Sequence, residues 1–408
     1  MDGLELTMRV LIGLVVCGFT FVSANPSSCA EVGGEYELFL RHVDSTVQEA
    51  MWKPSEPRVV YVGQPATHEE RYRVIPCIVR MRDGTLVALV EPGKNPVFIR
   101  STDGGTSWSE PYTGVSPDKV GGVNALGVRR DGRLMGVFSK AHENLGTSAV
   151  KKQMVNLADG RQCLAFEGYR YGGDLHLGYS SDQGKTWTVE TNIDISPMVA
   201  AWTWTGGRIL ELHDGTLLVP VAGYLSDQEM DGIWLSAGVL QSHDDGVTWR
   251  FSIVGRGNPD DWIIFSEPAV AELDDGTLVT LMRTEDRVKK SSPGDRRGGR
   301  GGLHRSSSVD GGQRWSRPVK TLDGSHCSLT RLPGGVLLCG YHRPPRLALS
   351  SNEGKAWYAN MLWNTENPRA NWGWYISVEM VDPTTAVVLV KETPAPNIIR
   401  ACLLHRQP

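Results

Sequence analysis

An octapeptide, Ser-x-Asp-x-Gly-x-x-Trp, recurs along this chain and constrains its fold more than any other feature. Copies occupy residues 101–108, 180–187, 242–249 and 308–315; a fifth, at 350–357, has Asn352 in place of the acid. Asp or Asn ahead of Gly makes a tight turn whose side-chain oxygen accepts from backbone N–H groups. The Trp anchors the next strand by burying a large ring. One copy marks a hairpin; five mark an array of like β units.

A second repeat interleaves with the first. It is a turn between apolar, β-prone runs: Arg82-Asp83-Gly84-Thr85-Leu86, Arg130-Asp131-Gly132-Arg133-Leu134, His213-Asp214-Gly215-Thr216-Leu217 and Asp274-Asp275-Gly276-Thr277-Leu278. A looser copy is Pro333-Gly334-Gly335-Val336-Leu337, and Asp382-Pro383-Thr384-Thr385-Ala386 is degenerate. Asp-Gly between strand-like runs is a strong hairpin signal. Each unit therefore reads as strand A, turn, strand B, a variable loop, strand C, octapeptide turn, strand D. Radial four-stranded units are propeller blades. The last unit reaches strand C at about 398–404, and the run Val59-Val60-Tyr61-Val62 is the natural donor of its fourth strand. The expected fold is all-β, a six-bladed β-propeller over 57–408.

The formal net charge of −4 argues against a generally basic nucleic-acid binder. The basic, Gly-rich stretch 287–305 reads as a mobile loop beside the mouth, drawing at most anionic glycans. Residues 10–21 form an apolar run followed by Val22-Ser23-Ala24, a small-residue cleavage pattern. This predicts a signal peptide over 1–24, an N-terminal segment over 25–56, a secreted or lumenal location and no stable membrane span. Six cysteines then remain: Cys29, Cys77, Cys163, Cys327, Cys339 and Cys402. Disulfides are permitted in that compartment, but Cys77, Cys339 and Cys402 fall in predicted strands and read as buried thiols. No His-x-x-x-His or Cys-x-x-Cys spacing occurs, so neither a metal nor another cofactor is expected.

Blade topology says where a site can lie. Strand A starts, strand B ends and strand C starts at one common end, away from the octapeptide turns. Residues seven to ten positions before an Asp-Gly turn, or about eight after it, face that mouth. Arg73, Glu267 and Tyr375 stand before turns; Glu91, Arg283 and Arg343 stand after them. Three guanidinium groups aimed at one point bind a carboxylate by charge-assisted, often bidentate hydrogen bonds. A Tyr beside a Glu is an activated neutral nucleophile. Such a nucleophile suits a carbon that already carries a carboxylate, as in a 2-keto sugar acid. Trp374 competes with Tyr375 for the position, but only Tyr has an ionisable hydroxyl.

The chain resembles the sialidase (neuraminidase) superfamily across all six units. The octapeptides match that family's Asp boxes (BNR repeats). The segment from Glu267-Pro268-Ala269-Val270-Ala271-Glu272 to Arg283 is similar to the one joining the nucleophile-assisting Glu to the second arginine. Tyr375 with Ser377-Val378-Glu379-Met380 looks like the nucleophile strand, and Arg343 like the third arginine. Trp202-Thr203-Trp204 leads into a strand of the type that lines the family's substrate pocket. The resemblance implies an exo-α-sialidase acting on sialylated glycans or other acidic sugars with retention of configuration. Arg73, Arg283 and Arg343 would hold the carboxylate, Tyr375 would be the nucleophile and Glu267 its base. The chain departs from the family at the first arginine, where Val74 separates Arg73 from Ile75-Pro76. It departs again at the acid/base Asp: no Asp occurs between Gly84 and Thr102. Glu91 is one substitute; the loop 139–175, with His142, Glu143 and Asp174, holds others. Two other readings stand beside the enzyme: a propeller that binds acidic sugars without cleaving them, and a structural interaction module. Turnover and ligand binding separate the three.

Overall fold

The octapeptide closes the same way at every copy. In the first, Asp103 Oδ1 accepts from Ser107 N–H at 2.9 Å, and Ser101 Oγ accepts from Gly105 N–H at 2.8 Å. Trp108 Nε1 then donates to the Gly105 carbonyl at 3.1 Å. The same three bonds recur around Asp182, Asp244 and Asp310. Asn352 keeps the pattern, its Oδ1 accepting from Ala356 N–H at 2.8 Å. The turn needs a side-chain acceptor at this position, not a charge.

The computed structural model describes residues 52–63, 74–118, 120–141, 153–156, 162–165, 172–204, 207–232, 234–257, 263–286, 301–342, 346–361, 375–392 and 397–406. The expected signal peptide, Arg73, Arg343, His142, Glu143, Cys29 and the stretch 287–300 lie outside them.

Strands dominate. β1 (Trp52–Pro54) and β2 (Arg58–Val62) come first. β3 (Cys77–Arg80), β4 (Leu86–Glu91), β5 (Val97–Ser101) and β6 (Tyr112–Thr113) form one antiparallel four-stranded sheet. β7 (Gly122–Val128) and β8 (Leu134–Ala141) lead to a small separate hairpin, β9 (Gln153–Asn156) and β10 (Gln162–Ala165), within the predicted long loop. β11 (Gly173–Ser180) and β12 (Thr188–Ile193) complete that unit. In the next, the inner strand is split into β13 (Ala200–Trp202) and β14 (Leu210–Glu211), which pair with opposite ends of β15 (Leu217–Tyr224). After a short helix, α1 (Asp227–Gly232), come β16 (Ser236–Ser242) and β17 (Arg250–Gly255).

The next sheet holds β18 (Ile263–Glu272), β19 (Leu278–Asp286), β20 (Gly302–Ser308) and β21 (Val319–Leu322). The one after it holds β22 (Ser325–Arg331), β23 (Leu337–His342), β24 (Arg346–Ser350) and β25 (Tyr358–Met361). The last has β26 (Ile376–Asp382), β27 (Thr385–Glu392) and β28 (Ile398–Arg406). Its outer edge is supplied by β2, as expected, and also by β1, both antiparallel to β28. One departure from separate units is the pairing of Gly173 with Ala201, which joins β11 to β13 in a nine-stranded sheet. Gly172 permits it: its φ of 120 suits only glycine, and a Cβ there would stand 3.1 Å from the Ala201 nitrogen.

The core lies between neighbouring sheets, and six of its clusters each hold one tryptophan from an Asp box or from β1, while a seventh, around Tyr224, has Trp202 and Trp234 packed against it. Trp187 packs between the β3–β6 and β7–β12 units, Trp249 between β7–β12 and β13–β17, Trp315 and Trp357 in the two that follow. Trp108 belongs to the layer between β3–β5 and the β27–β28 sheet. In the remaining layer the ring comes from Trp52 of β1. The β26–β28 sheet meets the first sheet directly: Ile78 N–H donates to Ser377 Oγ at 3.1 Å. Among the described residues Cys77, Cys327, Cys339 and Cys402 are free and buried. Burial pushes the Cys77 thiol up to about 11 and Cys402 to about 12, which keeps both protonated and inert. No helix of the described residues is long and apolar enough to cross a membrane.

Candidate functional site

Three inner strands break register near one end: β7 between Val123 and Ala125, β18 between Ser266 and Ala269, β22 between Ser325 and Cys327. A bulge re-aims side chains. In β18 it carries Glu267 at φ 52, and in β22 it carries His326 at φ 44. Left-handed backbone is costly for residues with a Cβ, of order 1–3 kcal/mol. It is more so for Glu267, because the following Pro268 favours extended backbone.

These residues meet. Glu267 Oε1 accepts from Arg283 Nη1 at 2.9 Å, while Glu267 Oε2 pairs with His326 Nδ1. Arg283 lies on β19, opposite Ser266 in register. Its other terminal nitrogen pairs with Glu285. Burial opposes the charge on Arg283, but the Glu267 and Glu285 carboxylates outweigh it and hold the guanidinium above its ordinary pKa. Arg283 Nη1 also stands 3.5 Å from His326 Nε2.

Tyr375 stands at the start of β26 and is 3% exposed. Its ring lies 5.0 Å from the His326 imidazole, edge to face at 72°. Trp204 completes the cluster, stacked on His326 at 5.0 Å and 21° and tilted against Tyr375 at 5.1 Å. The break between β13 and β14 brings it there. Gly207 ties that excursion: its N–H donates to the Trp204 carbonyl at 2.9 Å, and a Cβ on it would strike the Pro268 carbonyl oxygen. Lys391, wholly buried on β27, donates its backbone N–H to the Tyr375 carbonyl at 2.9 Å. Its ammonium lies 5.7 Å from the Tyr375 ring centre.

Of the residues singled out in the sequence, Glu267, Arg283, Tyr375 and Trp204 thus come together. Trp202 sits on β13 against Tyr224, ring centres 6.1 Å apart. Glu91 accepts a 2.5 Å hydrogen bond from the Tyr61 hydroxyl of β2. Burial, then Glu91 itself, raises the Tyr61 pKa and keeps that hydroxyl a donor. Asp174 lies on β11, in register with Lys140. The loop 92–96 is anchored by a mutual backbone pairing of Gly93 with Val123 and by Lys94–Asp118 at 3.9 Å; it contributes no acid. Arg73 and Arg343 lie outside the described residues.

His326, Lys391 and Glu285 are members that sequence reasoning missed. The signal was there: His326 stands nine positions before Gly335 (335 − 326), as Glu267 does before Gly276 (276 − 267) and Tyr375 before Thr384 (384 − 375). Beneath the cluster, Arg208 bridges inner strands, pairing with Glu379 of β26 and donating to the Leu329 carbonyl of β22 at 3.0 Å. Among the described residues no group of three or more His, Cys, Asp or Glu is placed to hold a metal.

As a chemical unit the cluster offers a part-buried cationic fork, a carboxylate, an imidazole, a phenol and an aromatic wall. These groups combine acid–base capacity with an apolar face.

The description of the BNR repeat-like domain matches residues 171–380, just over half the chain. A sialidase of Bacteroides fragilis (strain YCH46) is 26% identical over 227 residues, covering 51% of this chain and 39% of that protein. The chain thus matches well under half the length of this relative. Among solved structures, an α-L-arabinanase of Penicillium chrysogenum complexed with arabinobiose is similar with a TM-score of 0.58 and 14% identity, over 86% of this chain and 98% of that one. The intramolecular trans-sialidase of Ruminococcus gnavus in complex with oseltamivir carboxylate is similar at 0.53 and 15%, over 85% and 96%. At such identities these structures speak to the fold, which in these neighbours is a propeller. The chain belongs to the BNR repeat-like domain family, within the sialidase superfamily.

Proposed function

We propose that this protein is a six-bladed propeller acting as a retaining exo-glycosidase on terminal sialic acids or closely related acidic sugars. The observation that carries the reading is the buried convergence of Tyr375, Glu267 and Arg283 from two sheets. Tyr375 would attack the anomeric carbon; Glu267, which pairs with the His326 that is in ring contact with Tyr375, would activate it. Arg283 already engages two carboxylates, so it fixes the polarity of the site while Arg73 and Arg343 would supply fresh donors for the substrate carboxylate. Trp204 would offer the sugar an apolar face. Trp202 stands on the same excursion and would border it. Secretion, as the N-terminal apolar run suggests, would bring the enzyme to sialylated glycans.

A second reading has one observation in its favour. The loop 92–96 holds no acid, and Glu91, the substitute nearest to it, is bonded to Tyr61. General acid help is worth about a hundred- to ten-thousand-fold. Without it the protein would bind acidic sugars and cleave only those with good leaving groups.

Release of 4-methylumbelliferone from its sialic acid glycoside tests both, because that leaving group needs little protonation. Turnover that collapses in Tyr375→Phe supports the enzyme. Binding of free sialic acid without turnover supports the binding propeller. Neither result from folded protein overturns both.

A further inference from the structure

Three rings of the cluster come from three different segments: Trp204 from the stretch between β13 and β14, His326 from β22 and Tyr375 from the start of β26. These segments belong to separate sheets, so no backbone ladder fixes one ring against another. Arg208 links all three. It stands four residues after Trp204 (208 − 204). Its Nη1 pairs with Glu379 of β26, four residues after Tyr375 (379 − 375). Its Nη2 donates to the Leu329 carbonyl of β22 at 3.0 Å, three residues after His326 (329 − 326). Along β22 and β26 that is about 10–13 Å below the rings. A guanidinium suits the task, because its rigid fork can engage a carboxylate and a carbonyl at once.

The link is well sheltered. Arg208 and Glu379 are only 11% and 13% exposed. Glu379 is fixed in turn, its Oε1 accepting from Met380 N–H at 2.8 Å. The first sheet feels the pair as well. At the Cys77 thiol of β3, after burial and a backbone hydrogen bond, the guanidinium lowers the pKa and the Glu379 carboxylate raises it. Breaking one partner of such a pair strands the other charge, which keeps the two together.

The neighbouring contacts show what this link adds. β22 and β26 have a second tie nearer the rings, from Val378 N–H to Ser328 Oγ at 3.2 Å. The Trp204 segment is also anchored, but toward other sheets: Ile209 N–H donates to the Leu126 carbonyl of β7 at 2.9 Å, and Gly207 lies against the Pro268 carbonyl of β18. Arg208 is what joins this segment to the strands that carry His326 and Tyr375.

We propose that Arg208 is a positioning residue: through Glu379 and the Leu329 carbonyl it holds the Trp204 wall against His326 and Tyr375. The inference rests on the reading of Trp204 as the apolar face offered to the sugar. A site whose supporting shell is loose by about 1 Å loses much of its effect.

Two measurements on the full chain test this. Arg208→Met removes both bonds and keeps an unbranched side chain. Through-space proton spectra, with only Trp, Tyr and His rings protonated and assignments from Trp204→Phe and His326→Asn, read the three ring contacts directly. In Arg208→Met the Trp204 contacts to Tyr375 and His326 should weaken, while the Tyr375–His326 contact persists through the Ser328 tie. Trp204 contacts at wild-type strength overturn the proposal. Loss of all three contacts also overturns it, because that marks a general support of the core. Where Arg208→Met does not fold, Glu379→Gln, which removes the charge and keeps the volume, is read by the same criteria. With 4-methylumbelliferyl sialoside, Arg208→Met should raise KM about two- to tenfold, the worth of one aromatic contact, with kcat little changed. Arg208→Lys, which keeps a charge for Glu379, should recover part of that rise. A fall in kcat at unchanged KM overturns the proposal. Wild-type protein without turnover overturns the sialoside reading instead, and the ring spectra then decide the role of Arg208 alone.

Discussion

Glu267 and His326 occupy the same place in neighbouring inner strands, each at a bulge, each with positive φ (52 and 44), and their side chains pair across the gap between sheets. Two strained residues that need one another in this way are expensive to hold and persist only where surrounding contacts over-determine them. Here those contacts are Arg283, Trp204 and Tyr375.

Arg283 stands part-buried between two carboxylates, its side chain 18% exposed. Removing it takes the guanidinium from both, though Glu267 keeps His326, so Arg283→Met should destabilise the protein by up to about 3 kcal/mol in urea unfolding. Adding Glu267→Gln should restore part of that loss, because one stranded charge goes with it; strict additivity would contradict the pairing.

Tyr375→Phe removes one oxygen and keeps the ring that packs on Trp204 and His326. Melting should shift little, while turnover of the 4-methylumbelliferyl sialoside should fall on the order of a thousandfold or more. A comparable loss of stability would make Tyr375 a structural plug instead.

Gly207 has no room for a Cβ beneath the Pro268 carbonyl. Gly207→Ala should cost about 1–3 kcal/mol by overpacking and push Trp204 away from His326 and Tyr375. The checks are calorimetry, tryptophan emission and KM, which should rise. Unchanged emission and KM would show that the excursion between β13 and β14 does not depend on this approach.

The Asp boxes give the fold a pH dependence. Hydrogen bonds from the Thr248 side chain and backbone, then Ser242, lower Asp244 from 3.8 to about 2. A folded-state value below the unfolded one contributes stability in full above about pH 4, and that contribution is lost as pH falls toward 2. Asp244→Asn keeps the acceptor, as Asn352 does naturally, and should flatten this part of the stability curve while leaving the fold intact at neutral pH. Acid unfolding followed by circular dichroism checks the sign.

The repeated hairpins and the pairing of residues 59–62 with β28 could be read from two turn motifs, because turn chemistry is local, whereas β1, the β9–β10 hairpin and the split of the inner strand into β13 and β14 could not. Local signals also place side chains: Glu267, His326 and Tyr375 share one offset from their turns. What escaped was His326, although the meeting of Glu267 with Arg283 and Tyr375 was expected. His326 was passed over as a scattered histidine, since its partner stands on another sheet 59 positions away (326 − 267) and the bulges that turn both inward have no sequence signature of their own. Glu91 illustrates the converse. Its offset resembles that of Arg283, yet it bonds to Tyr61, because β2 arrives from elsewhere in the chain to lie beside it. Trp52 went unnoticed for the same reason: it fills the one layer that has no Asp-box tryptophan, but from β1, outside the repeat.

The seam at β28 also sets an order of events. Leu403 N–H donates to Ser55 Oγ across 348 positions, and the Cys402 thiol donates to the Ser55 carbonyl at 3.2 Å. Every other sheet assembles from strands close in sequence; this one must wait until both distant parts of the chain exist. Contacts of such separation form slowly, although their extra entropic cost grows only logarithmically with length. During synthesis residues 52–62 therefore remain an unmatched edge while the intervening sheets form behind them. In the finished protein the same seam is the place where unzipping can start without first tearing a hairpin.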